Sequence, residues 1–209
     1  ASVQDIPFCT DRTCDPESCD CGFFFDDTSS LRQMVGTGGY VNPEEVAALV
    51  MEPIQGEGGY RFPSESFTEE IAAVTEEYDI PLVADEVQSG MGRTGEWWGS
   101  DNYAIDPDVM ASAKASRVGA TIGRDKIFPE ERSRLSSTWG AGDIASSAQA
   151  VFTIDAIDDH GLLANATARG RQLKERLRDE RLDGVVDVRG KGLMLAVEFE
   201  SKGLRDEVQ

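Results

Sequence analysis

Two apolar runs, and the helical pattern between them, constrain this chain more than any other feature. Val46 to Met51 (Val-Ala-Ala-Leu-Val-Met) is apolar at every position, and Ile80 to Ala84 is nearly so. Runs of this length and kind read as strands buried on both faces. Between them Gly56-Glu57-Gly58-Gly59 breaks the chain into a loop, Ser66 and Glu69 make a capping-box pattern, and Phe67, Ile71, Val74 and Tyr78 form an apolar stripe at helical spacing. Strand, helix, strand is a βαβ unit, so the expected fold class is α/β with a mostly parallel sheet. Ligands of such sheets sit outside the carboxyl ends of the strands. Glu57 and Asp85 follow the two runs and belong at that edge.

A third short run, Val109-Met110-Ala111-Ser112-Ala113, delivers Lys114. An acid and an amine at neighbouring strand ends are what pyridoxal phosphate chemistry requires. The amine condenses with the cofactor aldehyde, and the acid keeps the pyridine nitrogen protonated. Of the five lysines, Lys114 alone follows an apolar strand into a small-residue context. The bland readings remain open at this point: a surface lysine, and an Asp85 that merely caps a turn.

Further along, Val118 to Gly123 reads as a short strand and turn. Ser136 to Gly142 is a loop of small hydroxyl and glycine residues suited to a phosphate. Helices are expected over Ile144 to Ile157 and about Leu162 to Leu182, with His160, the only histidine, as a cap near a helix end. Strands are expected over Val185 to Arg189 and Leu193 to Phe199, separated by Gly190-Lys191-Gly192. The expected division is an irregular cysteine-containing segment over 1–40, a partial large domain over 41–160, and a linker helix with the start of a small domain over 161–209.

Composition narrows the function. The chain has 39 acidic residues against 20 basic ones, a net charge of -19, and fifteen of the basic residues are Arg. The acids are spread among ordinary hydrophobic elements, which argues against a disordered acidic block. Acid excess with scarce Lys points to a halophilic microbe, where high salt screens self-repulsion. Nucleic acid is not an expected partner, because phosphate binding needs a basic face. No apolar stretch is long enough to span a membrane and no secretory leader opens the chain, so a cytoplasmic location is expected.

All four cysteines, Cys9, Cys14, Cys19 and Cys21, lie in one loop-like segment in the pattern C-x4-C-x4-C-x-C. Four thiols so close suit zinc or iron–sulfur, although the spacing matches no common zinc signature. Disulfides and plain free thiols are the alternatives, and no metal ligand is assigned among the site residues from sequence alone.

Several motifs in order carry a resemblance. They are Glu52-Pro53-Ile54-Gln55-Gly56-Glu57-Gly58-Gly59-Tyr60, then Asp85-Glu86-Val87-Gln88-Ser89-Gly90 with Gly92-Arg93-Thr94-Gly95. Next come Pro107-Asp108 with Ala113-Lys114, then Ser137-Thr138-Trp139-Gly140, and Val188-Arg189-Gly190-Lys191-Gly192-Leu193. With these the chain resembles the class III pyridoxal-phosphate aminotransferases, the fold type I group that includes 4-aminobutyrate and ornithine aminotransferases. The resemblance runs from about Val46 to Phe199, and the cysteine segment is not a general feature of the family.

The resemblance implies pyridoxal 5'-phosphate as cofactor and assigns roles. Lys114 would be the Schiff-base lysine and proton carrier, and Asp85 the partner of the pyridinium nitrogen. Val87 would pack on the ring, Gln88 would hydrogen-bond the ring hydroxyl, and Thr138 would donate to the phosphate of a neighbouring subunit in a homodimer. Glu57 would be the gate residue that neutralises a substrate-binding arginine. Family members are longer, so the chain is expected to be a piece of a larger protein, inactive alone, holding part of the large domain and the start of an α+β small domain. The implied reaction is transfer of an amino group from an ω-amino or α-amino donor to an oxo acid such as 2-oxoglutarate. A glutamate-semialdehyde aminomutase or an acetylornithine-type enzyme shares fold and cofactor. A non-catalytic metal-binding or regulatory derivative is the alternative of a different class.

Overall fold

The computed structural model describes residues 2–10, 14, 16–25, 28–131, 142–180 and 182–208. Two short strands, β1 (Phe24–Phe25) and β2 (Thr28–Ser29), pair antiparallel and lead into helix α1 (Ser30–Val35). Strand β3 (Leu49–Met51), helix α2 (Glu65–Glu77) and strand β4 (Leu82–Asp85) form the βαβ unit, followed by β5 (Val109–Ser112) and β6 (Ala120–Gly123). Helices α3 (Ile144–Asp159) and α4 (Leu162–Asp179) precede the strands β7 (Val185–Lys191) and β8 (Met194–Phe199) and helix α5 (Lys202–Val208). No helix among the described residues is long and apolar enough to cross a membrane.

The main sheet runs β3-β4-β5-β6. β3 and β5 flank β4 in parallel, with Leu49 opposite Leu82 and Asp85 opposite Ala111, whereas β6 returns antiparallel to β5. Phe67, Ile71 and Val74 of α2 are buried against Leu49, Met51 and Leu82, which puts the expected helical stripe in the core. The short antiparallel return needs only the Ala113–Gly119 connection, as an antiparallel neighbour allows.

Local corrections to the sequence reading have physical causes. The first strand begins at Leu49, because Val46 is used to close a 3-10 turn over Pro43–Glu45 and its N–H bonds Pro43 O. That strand is buried on one face only: Leu49 and Met51 are covered, while Val50 is 68% exposed. Ser64, rather than Ser66, caps α2. It follows Pro63 in extended backbone (φ -71°, ψ 153°), and its Oγ accepts the Phe67 N–H at 3.3 Å. The turn between β7 and β8 is also tighter than expected. Pairing continues to Lys191 opposite Met194, leaving Gly192 and Leu193 to reverse the chain, with Gly192 at φ +53°.

The stretch over 1–40, read as irregular, contains β1, β2 and α1. Six helical residues are too few to register as a periodic pattern, yet the helix is well anchored. Ser29 Oγ accepts the Arg32 N–H at 3.0 Å and donates to Glu70 of α2 at 2.6 Å. Arg32 pairs with Glu70 at 3.0 Å and Glu77 at 2.5 Å, and those two carboxylates hold its guanidinium above its ordinary pKa. Phe23 meets Phe67 edge-on with centroids 4.7 Å apart, and Phe8 lies 5.1 Å from Phe67. The segment therefore shares the core of the βαβ unit.

His160 is the C-cap of α3, as expected, with its N–H on Ala156 O. Gly161 stands at φ +57° between α3 and α4. α4 lies against the β7–β8 turn at Gly170, where a Cβ would come within 1.7 Å of Gly192 O. No other residue type allows that approach.

Candidate active site

Asp85 ends β4, half-buried, and its Oδ1 accepts the Val87 N–H at 3.0 Å. That bond fixes the carboxylate on the first turn beyond the strand. The adjacent strand is locked in register, since the Glu86 N–H donates to Ala111 O at 2.9 Å. Lys114 lies three residues past Ala111, exposed, at the same carboxyl edge. Its turn is fixed by Ser116, whose Oγ is 2.9 Å from both Ala113 O and Val118 O, and by Arg117 in the left-handed region at φ +61°. Asp85 and Lys114 therefore leave neighbouring parallel strands at the same carboxyl edge, with Ala111 level with Asp85 and Lys114 three residues further on.

The loop after β3 reaches the same edge. The Gly56 N–H bonds Glu52 Oε2 at 2.8 Å, and Gln55 and Arg61 exchange backbone bonds at 3.0 and 3.1 Å. A Cβ at Gly56 would fall 1.7 Å from Gln88 Oε1, so the glycine is what lets this loop lie against the Gln88 amide. Gln88 and Val87 are half-buried, and Glu57 is exposed. Thr138 and the rest of Ser137-Thr138-Trp139-Gly140 lie outside the described residues.

Two residues give this edge its rigidity; both stand in the quoted motifs, but the sequence assigns neither a role. Arg189 of β7 donates from Nε to Tyr60 O at 3.0 Å and from Nη2 to Gly59 O at 2.6 Å, gripping the loop that carries Glu57. Burial works against its charge, but Asp187 at 3.0 Å and Glu198 at 2.5 Å outweigh that and hold its pKa above the ordinary value. Glu86 is 1% exposed. Its carboxylate accepts from Ser89 Oγ (2.6 Å), Gly99 N–H (2.8 Å), Ser100 N–H (2.8 Å) and Ser100 Oγ (2.5 Å). It ties Ser89 to Gly99 and Ser100, closing the loop between them. Only its neighbour's acidity hints at this, because the donors are distant in sequence.

Replacing Glu86 by Gln sets an amide N–H₂ against donors, so Glu86→Gln is expected to lower stability by about 3 kcal/mol. Urea unfolding measures this directly, and an unchanged midpoint would refute the clamp.

Three of the four left-handed non-glycine residues among the described residues lie in the same loops, the fourth being Asp79 before β4. Tyr60 (φ +46°), Met91 (φ +58°) and Arg117 (φ +61°) follow β3, β4 and β5 respectively. Residues held in this region cost free energy that functional edges tend to retain.

The donor set fits pyridoxal 5'-phosphate. Lys114 offers an exposed amine that forms no ion pair among the described residues. Asp85 offers a fixed acid one strand away, and Gln88 an amide beside it. Asp85, Val87 and Gln88 would hold the ring, and Lys114 would carry the cofactor.

Comparison with known proteins gives the family. The profile of the aminotransferase class-III family matches residues 26–208. An alanine/serine racemase of Pyrococcus horikoshii is 41% identical over 173 residues, which is 80% of this chain and 36% of that protein. An acetylornithine aminotransferase of Methanosarcina mazei is 35% identical over 84% of this chain and 43% of its own length. The solved lysine aminotransferase of M. tuberculosis, in its internal aldimine form, superposes with a TM-score of 0.73 at 36% identity, covering 79% of this chain and 40% of that one. An (S)-enantioselective omega-transaminase from Thermomicrobium roseum gives a TM-score of 0.70 at 35% identity, covering 78% of this chain and 39% of that one. The chain thus spans about two fifths of the length of the relatives it matches. Its fold is that of the fold type I transaminases, the family's cofactor is pyridoxal 5'-phosphate, and the chain belongs to the class-III aminotransferases.

Proposed function

We propose that the protein transfers an amino group from an ω-amino or α-amino donor to an oxo acid such as 2-oxoglutarate. The observation that supports this reading is the parallel pairing of β4 and β5, with Asp85 opposite Ala111 and Lys114 following three residues later at the same carboxyl edge. When bound, the cofactor supplies an electron sink for the substrate carbon. The chain's own residues do the rest. Lys114 Nζ holds the cofactor and then moves the proton at the substrate carbon. Asp85 keeps a positive charge on the ring nitrogen, Gln88 orients the ring, and Val87 supports its face. Glu57, on the loop gripped by Arg189, serves as the gate that neutralises a substrate-binding arginine. Thr138 is assigned to the phosphate of a partner subunit, so the working unit is a homodimer. A cytoplasmic setting in a halophilic microbe completes the proposal.

The identity to a racemase supports a second reading on the same residues. Racemisation needs the same proton movement but no oxo acid. The two separate in one assay: amino acids are supplied with and without 2-oxoglutarate while glutamate formation and optical rotation are followed. Glutamate appearing only with the acceptor supports transfer. Loss of rotation without any acceptor, and no glutamate, overturns it.

Asp85→Asn keeps the acceptor for the Val87 N–H and removes only the charge. It is expected to lower amino transfer by about 100-fold or more, with thermal stability little changed. Full activity in this variant would remove Asp85 from its role.

A further inference from the structure

We propose that Cys9, Cys14, Cys19 and Cys21 form a mononuclear, tetrahedral thiolate site for a soft divalent transition-metal ion of the zinc class. The ion clamps the cysteine-containing segment to the start of α2.

The four Sγ atoms all lie within 4.8 Å of one another. Cys9 stands 2.8 Å from Cys21 and 3.8 Å from Cys19. Cys14 stands 3.2 Å from Cys19 and 3.1 Å from Cys21, and Cys19 and Cys21 are 3.3 Å apart. Two thiolates bound to one zinc at about 2.3 Å are about 3.8 Å apart at the tetrahedral angle. These five separations lie at or inside the spacing that a single central ion sets. A multi-iron cluster would seat some of these sulfurs on different irons, with sulfide between them, and needs a wider cage. None of the four is in a disulfide. An all-sulfur donor set selects zinc-like or iron(II) ions over magnesium or calcium.

The surroundings are those of a built site. Cys9 is fully buried and Cys14 is buried, both within the core that holds Phe23 and Phe67. The Phe24 N–H donates to Cys19 Sγ at 3.3 Å, the outer-shell contact that orients a thiolate ligand. Gly22, at φ +81°, turns the chain directly after Cys21. Cys9 O accepts the Ser64 N–H at 3.1 Å, and Thr10 forms a bridge with Pro63. Ser64 is the cap of α2, so the ion would fix the residue from which that helix starts. The four cysteines precede the family match at residues 26–208, so the site lies outside the stretch that the class-III profile describes.

The test uses the protein purified under reducing conditions without added metal, and reads no enzyme activity. Elemental analysis should find one zinc or iron per chain and no acid-labile sulfide. Replacing the ion by cobalt(II) should give the absorption bands of tetrahedral cobalt–thiolate. Cys14→Ser and Cys19→Ser should each weaken cobalt binding by more than about 100-fold, and a chelator should lower the melting temperature of the native sequence. If either variant does not fold, the cobalt titration of the native sequence decides alone. Absence of a stoichiometric ion together with no tetrahedral bands on adding cobalt overturns the proposal. So does a sulfide-containing cluster, or a pair of disulfides in the reduced preparation.

Discussion

Lys114→Ala is expected to cut amino transfer by at least about 1000-fold, because it removes both the anchor of the cofactor and the proton carrier at the substrate carbon. Folding should be nearly untouched. Lys114 is exposed and contributes no packing, and the turn that presents it is held by Ser116 and the β5–β6 pairing rather than by its own side chain. Lys114→Arg should rescue neither role, since a guanidinium stays protonated and cannot condense with an aldehyde or take up a proton. The check is a steady-state assay beside a thermal melt for all three proteins. Retained activity in either variant would show that another amine does the chemistry.

The second large effect is expected in salt. A net charge of -19 over 209 residues leaves the folded chain under strong self-repulsion. The described ion pairs already stretch the scarce cations. Arg32 serves Glu70 and Glu77, Arg124 serves Asp106 and Asp108, and Arg189 serves Asp187 and Glu198. Raising salt from 0.1 to above 1 M shortens the screening length from about 10 Å to about 3 Å or less. That weakens the exposed pairs, each of which contributes little, but it relieves repulsion across the whole surface. The second effect wins, so the melting temperature should rise by about 10 °C or more over that range. A melting temperature that is flat or falls with salt would contradict the halophilic reading.

Much of the fold and site was legible because it rests on local pattern. The apolar run Ile80 to Ala84 is too short for a helix and the stripe of Phe67, Ile71 and Val74 has helical spacing, and together they point to the βαβ unit. Asp85 and Lys114 could be placed at one edge because strand ends follow directly from strand runs. The features that escaped depend on contacts between distant residues. Glu86 looks like any acidic loop residue until Gly99 and Ser100 return to it. Arg189 gains its role only when β7 meets the Gly59–Tyr60 backbone. Val50 looked buried because an apolar side chain says nothing about whether its face of the sheet is covered. Helix α1 was missed because its stability comes from Ser29 and the Arg32–Glu70 pair, not from length or periodicity. The cysteine spacing resembled no common signature, yet the chain folds back and gathers all four thiols.

The assignment of Lys114 as the residue that carries pyridoxal 5'-phosphate is tested most directly by trapping. The protein is incubated with the cofactor, reduced with borohydride, digested, and the pyridoxylated peptide is identified. A single label on Lys114 is the result expected from its place just past β5, at the edge that carries Asp85. A label on Lys126, Lys174, Lys191 or Lys202 instead, or no covalent label at all, would contradict it.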